Sequence, residues 1–182
     1  MGKKISVKLP NDFRNSLFFE GLSEITVTIH DDLEENLAQS PFIYDLCDRN
    51  EIKLPMKPWN NWKTSIPYLL KYWKKLDQSI QESFQNRKGK ADRHKMLQSL
   101  SFYMLFIHWL NNQPVQTLSF QPLSQFNYKP VNVEERLKFI MKKPEQYHSF
   151  IQLQQLFHET EKLFHKRKAL DKLKKIAMTN DW

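Results

Sequence analysis

The chain has 182 residues, of which 40% are hydrophobic and 13% aromatic, and its formal net charge is +8. This composition suffices for one domain with a packed core, and it excludes wholesale disorder. The chain contains only three glycines. Tight hairpins and phosphate-binding loops depend on residues that tolerate positive φ, and glycine is the residue that does so most readily. The scarcity of glycine therefore favours a helical protein.

The first thirty residues are expected to form an extended N-terminal arm. Hydrophobic residues alternate with polar ones at Ile5, Val7 and Leu9, and again within residues 25–29. A period of two is typical of extended backbone, whereas a helix needs spacings of three and four. We therefore expect short extended segments here and helices elsewhere.

Helix starts follow the arm at two places. Asp31 or Asp32 is expected to cap a short helix that ends near Ala38, because an aspartate oxygen accepts a hydrogen bond from the first turn. Ser40 and Pro41 mark the start of a second short helix, since proline fits the first turn of a helix.

Two longer helices are expected to carry most of the core. Over residues 69–84, hydrophobic residues recur at spacings of three and four, with lysines between them. The next helix is predicted over residues 92–112, and between residues 100 and 110 it is hydrophobic on every side, as the central helix of a bundle is. Because this run has about half of the ~20 residues that a membrane span requires, we expect a buried helix and no membrane contact.

The segment over residues 129–157 contains two further helix starts. Asn132 is expected to cap one helix, with Glu135 three residues later returning the hydrogen bond to the backbone. Pro144 then starts a second helix, because a first-turn N–H needs no partner within the helix. Before this corner, residues 113–130 are expected to form a long loop with one short helical turn.

These elements predict an all-α fold, an irregular bundle of about five to seven helices with an extended N-terminal arm and a long basic C-terminal helix. The chain is divided into three parts. They are an extended arm over residues 1–30, a helical domain over residues 31–160 and a basic helical extension over residues 161–182.

Positive charge is concentrated in the C-terminal two thirds of the chain. Residues 1–60 contain 7 Lys/Arg against 10 Asp/Glu, a net charge of −3, whereas residues 61–182 contain 21 against 10, a net charge of +11. A basic helix can follow a phosphate backbone, although lysines near a helix C-terminus also complement the helix dipole. The candidate nucleic-acid-binding residues are Lys162, Lys166, Arg167, Lys168, Lys172, Lys174 and Lys175.

A second group of residues is a candidate for a pocket or motif surface. Trp59 and Trp62 flank a polar pair at a helix entrance, and exposed tryptophans can stack on bases. In the segment over residues 129–157, five residues remain after the capping and packing roles are assigned. They are Arg136, Lys138, Tyr147, His148 and Gln152.

The sequence contains no catalytic or nucleotide-binding motif of the GxGxxG, GxxxxGK[ST], GxSxG or HExxH type. Cys47 is the only cysteine, so an intramolecular disulfide and a cysteine zinc site are excluded, in keeping with a reducing cytoplasm. His158, Glu161 and His165 share one helical face, which suits either a divalent metal or an ordinary polar surface. His108 lies among hydrophobic residues and is expected to be a core histidine. We therefore assign no catalytic residue, cofactor, metal or small-molecule ligand.

Several motifs occur in an order that is known from one protein family. They are PFIYDL at residues 41–46, PWNNW at 58–62, WLNNQPV at 109–115 and the whole of 129–157. With these motifs, residues 17–160 resemble the YpoC-like family of uncharacterised bacterial proteins. The resemblance supplies no catalytic residues. It implies a DNA-related setting, because genes of this family are often found near genes for DNA recombination and repair.

The sequence and the resemblance together predict a non-enzymatic, cytoplasmic accessory protein that contacts DNA or a DNA-processing protein through a basic helical surface. The N-terminus has no apolar segment long enough for a signal peptide, which favours the cytoplasm. Two alternatives remain open. One is a protein–protein interaction module without nucleic-acid contact, and the other is a metal-dependent hydrolase built around His148 or the face from His158 to His165.

Overall fold

The structure, a computed structural model, describes residues 2–14, 16–86 and 89–179. These residues form seven α-helices, one short 3₁₀ helix and two β-strands. In chain order the elements are β1 (Lys3–Lys8), α1 (Asn11–Arg14), β2 (Glu24–Ile29), α2 (Leu33–Gln39), α3 (Ile43–Arg49), α4 (Trp62–Asn86), α5 (Arg93–Trp109), the 3₁₀ helix (Gln121–Gln125), α6 (Val133–Lys142) and α7 (Tyr147–Thr179). The prediction of a mainly helical fold with a long C-terminal helix is confirmed.

The N-terminal segment is a small antiparallel sheet rather than an extended arm. β1 pairs with β2 along its whole length, from Lys3 opposite Ile29 to Lys8 opposite Glu24. The inner face of β1 is part of the protein core, since Val7 is fully buried. The prediction of a strictly all-α fold is therefore wrong here. The alternating pattern of hydrophobic and polar residues correctly predicted two extended segments. It does not show that these two segments pair with each other through backbone hydrogen bonds.

Helix α5 is the centre of the bundle, as its uniform hydrophobicity predicts. Every residue from 99 to 110 is buried. On the neighbouring helices, Trp73 of α4 stacks on Phe157 of α7 with ring centroids 4.0 Å apart and planes at 4°. Tyr103 of α5 meets the same Phe157 ring edge-on at 5.2 Å. Aromatic pairs of this kind contribute about 0.5–1.5 kcal/mol each beyond the area they bury, so they fix the three helices against one another.

The predicted helix caps are confirmed at α2 and corrected at α6. Asp32 caps α2, because its Oδ1 accepts a hydrogen bond from the Glu35 N–H at 2.9 Å. Asn132 precedes α6, but its backbone is left-handed, with φ 54°, and its side chain makes no capping hydrogen bond. A capping side chain needs an extended backbone at that position. The capping box with Glu135 is therefore wrong, and the Asn132 carbonyl instead accepts from the Arg136 N–H at 3.1 Å.

Helix α7 begins at Tyr147 rather than at Pro144. The residues between α6 and α7 form hydrogen bonds with the connection between α4 and α5. The Glu145 carbonyl accepts a hydrogen bond from the Ala91 N–H at 2.8 Å, and Gln146 forms an isolated β-bridge with Lys90. Such contacts between distant segments are invisible to a local pattern. α7 then continues without a break past residue 160, and the division into three parts stays a prediction.

The C-terminal part of α7 becomes exposed by degrees, since Arg167 and Asp171 are still partly buried. Phe164 is the last buried residue of this helix, and every residue from 172 to 179 is exposed. At a rise of about 1.5 Å per residue, the segment over residues 165–179 is roughly 22 Å long. Among the described residues, no helix is long and hydrophobic enough to cross a membrane.

Candidate functional site

The exposed part of α7 carries most of the basic residues that the sequence singled out. Two acids of α7 neighbour these basic residues, and both have lysine partners on α4. Asp171 Oδ2 lies 2.8 Å from Lys63 Nζ, and Glu161 Oε1 lies 3.9 Å from Lys74 Nζ. The charge of the α7 lysines is therefore available to an outside partner. The exposed lysines are Lys162, Lys166, Lys168, Lys172, Lys174 and Lys175.

Three of these lysines share one helical face. Lys168, Lys172 and Lys175 are spaced four and three residues apart, which places them one above another on a helix. A second face carries Leu170 and Leu173, which are 40% and 63% exposed. The end of α7 is thus an amphipathic helix whose basic face and hydrophobic face both point to solvent.

Arg167 has a different environment from the lysines around it. Its guanidinium carbon lies 4.2 Å from the Trp62 ring centroid and 5.0 Å from that of Tyr128. It also donates hydrogen bonds to the Leu110 carbonyl and to Asn112 Oδ1. Burial lowers the pKa of this guanidinium from its usual value. Arg167 therefore contacts two aromatic rings and two hydrogen-bond acceptors of the same chain, which supports a structural role. Its position in a run of basic residues did not indicate this role.

Both tryptophans that were candidates for base stacking are buried. Trp59 is 5% exposed and Trp62 is 4% exposed. The Trp62 ring meets Phe164 edge-on at 5.8 Å, in addition to its contact with Arg167. The Trp59 carbonyl accepts a hydrogen bond from Asn112 Nδ2 at 3.0 Å. Because stacking needs an open ring face, neither tryptophan is available for it.

The polar residues of the 129–157 segment lie in separate places. Arg136 donates from Nε to Gln152 Oε1 at 3.0 Å and from Nη1 to both carboxylate oxygens of Glu159 at 3.0 and 2.9 Å. Arg136 and Gln152 therefore join α6 to α7. Tyr147 and His148 are both exposed at the start of α7, and the Tyr147 ring meets a neighbouring phenylalanine edge-on.

Lys138 lies at the edge of an open hydrophobic groove. The groove has a volume of about 820 Å³ and runs between α6 and the N-terminal segment. Lys138 and Lys142 bound it on α6, and Phe18 and Phe120 lie on its other sides. The sequence-derived motif surface thus does not converge on one pocket.

Asp45 is a buried acid that the sequence reasoning missed. Its Oδ1 accepts hydrogen bonds from Trp109 Nε1 at 3.2 Å and from the Val115 N–H at 2.6 Å. Its Oδ2 has no partner among the described residues, and burial raises the pKa of this carboxyl to about 7. The signal was present in the sequence, since Asp45 stands alone inside the hydrophobic run FIYDLC. Burial and the nearby Asp45 also raise the pKa of the Cys47 thiol to about 11, so this cysteine is not an activated nucleophile.

His108 is buried in the core, as predicted. Its Nδ1 lies 2.8 Å from the Met104 carbonyl oxygen. Because a carbonyl only accepts, Nδ1 carries the proton and Nε2 of the neutral ring is an acceptor. Burial lowers the pKa of this imidazole to about 4, so the ring is neutral at pH 7. Within the described part of the chain, Nε2 has no hydrogen-bond partner.

The histidine face of α7 does not gather metal ligands. His165 Nε2 lies 3.9 Å from Glu161 Oε1. In residues 2–14, 16–86 and 89–179, no group of three or more His, Cys, Asp or Glu is arranged to hold a metal ion.

Comparison with known proteins identifies the family. The family model described as YpoC-like protein matches residues 63–172, from the first turn of α4 to the exposed part of α7. A protein of Bacillus subtilis (strain 168), called Uncharacterized protein YpoC, is 34% identical over 143 residues, which cover 78% of this chain and 85% of that protein. No solved structure matches the chain. The chain belongs to the YpoC-like family, and the resemblance seen in its motifs is confirmed.

Proposed function

We propose that the protein is a non-enzymatic accessory protein that contacts nucleic acid through the exposed lysines of α7. The observation that carries this proposal is the basic face formed by Lys168, Lys172 and Lys175 on a helix that extends beyond the bundle. Neighbouring acids are paired with lysines of α4, so binding an anion requires no internal ion pair to break.

The contact is expected to be with the phosphate backbone rather than with bases. Duplex DNA carries one negative charge per about 1.7 Å of its axis, and lysines that neutralise phosphates release counterions. Base stacking would need open aromatic faces, and Trp59 and Trp62 are buried. Binding should therefore depend strongly on salt and weakly on nucleotide sequence.

Replacing Lys168, Lys172 and Lys175 together with alanine is expected to weaken duplex binding roughly tenfold or more at low salt. Each phosphate contact contributes about 0.9 to the slope of log affinity against log salt, so the slope should fall by about 3. Fluorescence anisotropy with a labelled duplex over a salt series measures both quantities.

The matched control is the triple alanine variant of Lys138, Lys142 and Lys143, which removes three exposed lysines from α6 and its C-cap. It changes the net charge equally but should leave most of the affinity and the slope in place. Equal losses in both variants would show that only the overall charge matters. Absence of binding by the unaltered protein at low salt would end the proposal.

A protein-interaction module is the second candidate, favoured by the hydrophobic face of the same helix. Leu170, Leu173 and Ile176 are 40%, 63% and 48% exposed, and an amphipathic helix can lay such a face into a groove of a partner. Replacing these three residues with glutamine is expected to abolish partner capture from a nuclease-treated extract, whereas the α7 lysine variant keeps it. Capture that survives the glutamine variant, or that requires nucleic acid, would contradict this candidate.

A further inference from the structure

A cleft opens at the end of α5. It has a volume of about 380 Å³ and lies between the last turn of α5 and the loop that carries the 3₁₀ helix. This volume lies in the range of small-molecule sites, about 300–1,000 Å³. None of the side chains that line the cleft is acidic, lysine or arginine. A charged ligand would lose hydration there without gaining a counter-charge, so the cleft suits a neutral one.

His108 lines this cleft and has an unused acceptor that is closed to solvent. The residue lines the cleft and is 2% exposed, and its Nε2 has no partner among the described residues. The Phe126 ring meets the imidazole edge-on, with centroids 5.0 Å apart. Phe126 is only partly buried and follows directly after the 3₁₀ helix. A ligand that turns this ring aside would bring an N–H or O–H donor to a buried acceptor, which favours binding because that acceptor is otherwise unsatisfied.

Amide side chains at the rim offer donors and acceptors together. Gln113 and Asn127 are exposed, and their side chains make no hydrogen bond to the described residues. The NH₂ group of such an amide can donate to a carbonyl oxygen of a ligand, as side-chain amides do with the acceptors of base edges. Asn111 is already occupied, because its Nδ2 donates to the Ile107 and Tyr128 carbonyls at 2.8 and 2.9 Å.

We propose that the cleft binds a neutral, planar heterocycle that carries a ring N–H beside a carbonyl, the chemical class of the lactam nucleobases. The ring N–H donates to His108 Nε2, and the NH₂ groups of Gln113 and Asn127 donate to the carbonyl oxygens beside it. Pro114, Pro122 and Phe126 supply flat hydrophobic walls, against which a planar ring packs. No lysine of α7 lines the cleft, and the proposal does not depend on these lysines binding nucleic acid.

Titration with uridine, followed by the ¹⁵N and ¹H resonances of the His108 ring, tests the site. We expect a saturable change at Nε2, with an affinity weakened roughly tenfold in the Gln113→Ala/Asn127→Ala variant, about one well-made hydrogen bond's worth. N3-methyluridine, which lacks the ring N–H, should bind more weakly than uridine. The control Gln85→Ala/Gln155→Ala removes two exposed amides from α4 and α7, outside the cleft, and should bind like the unaltered protein.

Three results would overturn the proposal. The first is an unchanged His108 signal at uridine concentrations up to about 10 mM, beyond the range of weak specific binding. The second is equal binding of uridine and N3-methyluridine. The third is an equal loss of uridine affinity in the two double variants. A single-stranded oligonucleotide added to the Lys168→Ala/Lys172→Ala/Lys175→Ala protein separates two sources of the ligand. A His108 change with the oligonucleotide identifies an unpaired base in a strand, and a change with uridine alone identifies a free nucleoside.

Discussion

In the Asp45→Asn variant, the free energy of unfolding is expected to increase as the pH rises from 4 to 7. Over the same interval, the free energy of unfolding of the unaltered protein is expected to change little. The pKa of Asp45 is raised from 3.8 to about 7 by burial. Over this interval the folded protein keeps a proton that the unfolded chain has released, so the contribution of Asp45 to stability falls as the pH rises. At about 1.4 kcal/mol per pH unit, the loss amounts to about 4 kcal/mol by pH 7.

His108 acts in the opposite direction over nearly the same interval. Its pKa is lowered by burial from 6.5 to about 4. The unfolded chain therefore binds more protons than the folded protein between these values, and the contribution of His108 is complete above pH 6.5 and lost as the pH falls to 4. In the unaltered protein the two effects offset each other, whereas Asp45→Asn leaves only the rise due to His108.

The asparagine keeps the contacts that position Asp45. Its amide oxygen can accept from Trp109 Nε1 and from the Val115 N–H, as Asp45 Oδ1 does. Its NH₂ group replaces the unpartnered Oδ2 and costs about 1–3 kcal/mol at every pH. Only the pH dependence thus separates the charge of Asp45 from its packing.

Urea denaturation of both proteins at several pH values between 4 and 8 measures this difference. Glu51→Gln serves as the control, because Glu51 is exposed and its replacement should leave the pH profile unchanged. Parallel profiles for the unaltered protein and Asp45→Asn would mean that Asp45 titrates with an ordinary pKa and is not buried as the structure describes.

The features that the sequence predicted are those in which neighbouring residues carry the whole signal. Residues 100–110 are hydrophobic on every side, and a helix with no polar face must be surrounded; α5 is. Asp32 caps α2 within one turn of itself. The pairing of β1 with β2 was missed because strand pairing joins residues that are far apart in the sequence, such as Lys3 and Ile29.

In the candidate site too, local patterns predicted exposure but not contacts between distant segments. Exposure of Lys168 and Lys172 followed from a basic run too long for one buried face. The burial of Trp62, by contrast, depends on Phe164 of another helix. The cleft at His108 is made by two segments that meet only in the folded chain. Local patterns therefore predicted which residues are polar and helical, but not which of them have a partner.

Replacing Arg167 with alanine is expected to lower the free energy of unfolding by about 3 kcal/mol. The change removes a hydrogen bond from a charged donor to the buried Leu110 carbonyl, worth about 1.5–3 kcal/mol. It also removes a bond to the exposed Asn112 side chain, which adds less, and a cation–π contact. One acceptor, the Leu110 carbonyl, follows directly after α5, where carbonyls have no partner within the helix. Chemical denaturation of both proteins measures the loss.

Two control variants distinguish a structural role of Arg167 from a phosphate-binding role. Lys166→Ala alters the exposed neighbour of Arg167 and should change stability by about 0.5 kcal/mol or less. Arg167→Lys keeps the charge but cannot reach two acceptors with a planar fork while stacking on Trp62, so it should recover only a minor part of the loss. If Arg167→Ala instead leaves stability unchanged and weakens duplex binding as strongly as the lysine variant of α7, Arg167 belongs to the binding face that its sequence neighbours indicated. A stability loss with a duplex salt slope close to that of the unaltered protein would assign Arg167 to holding α7 on the bundle, the position from which the lysines beyond it extend.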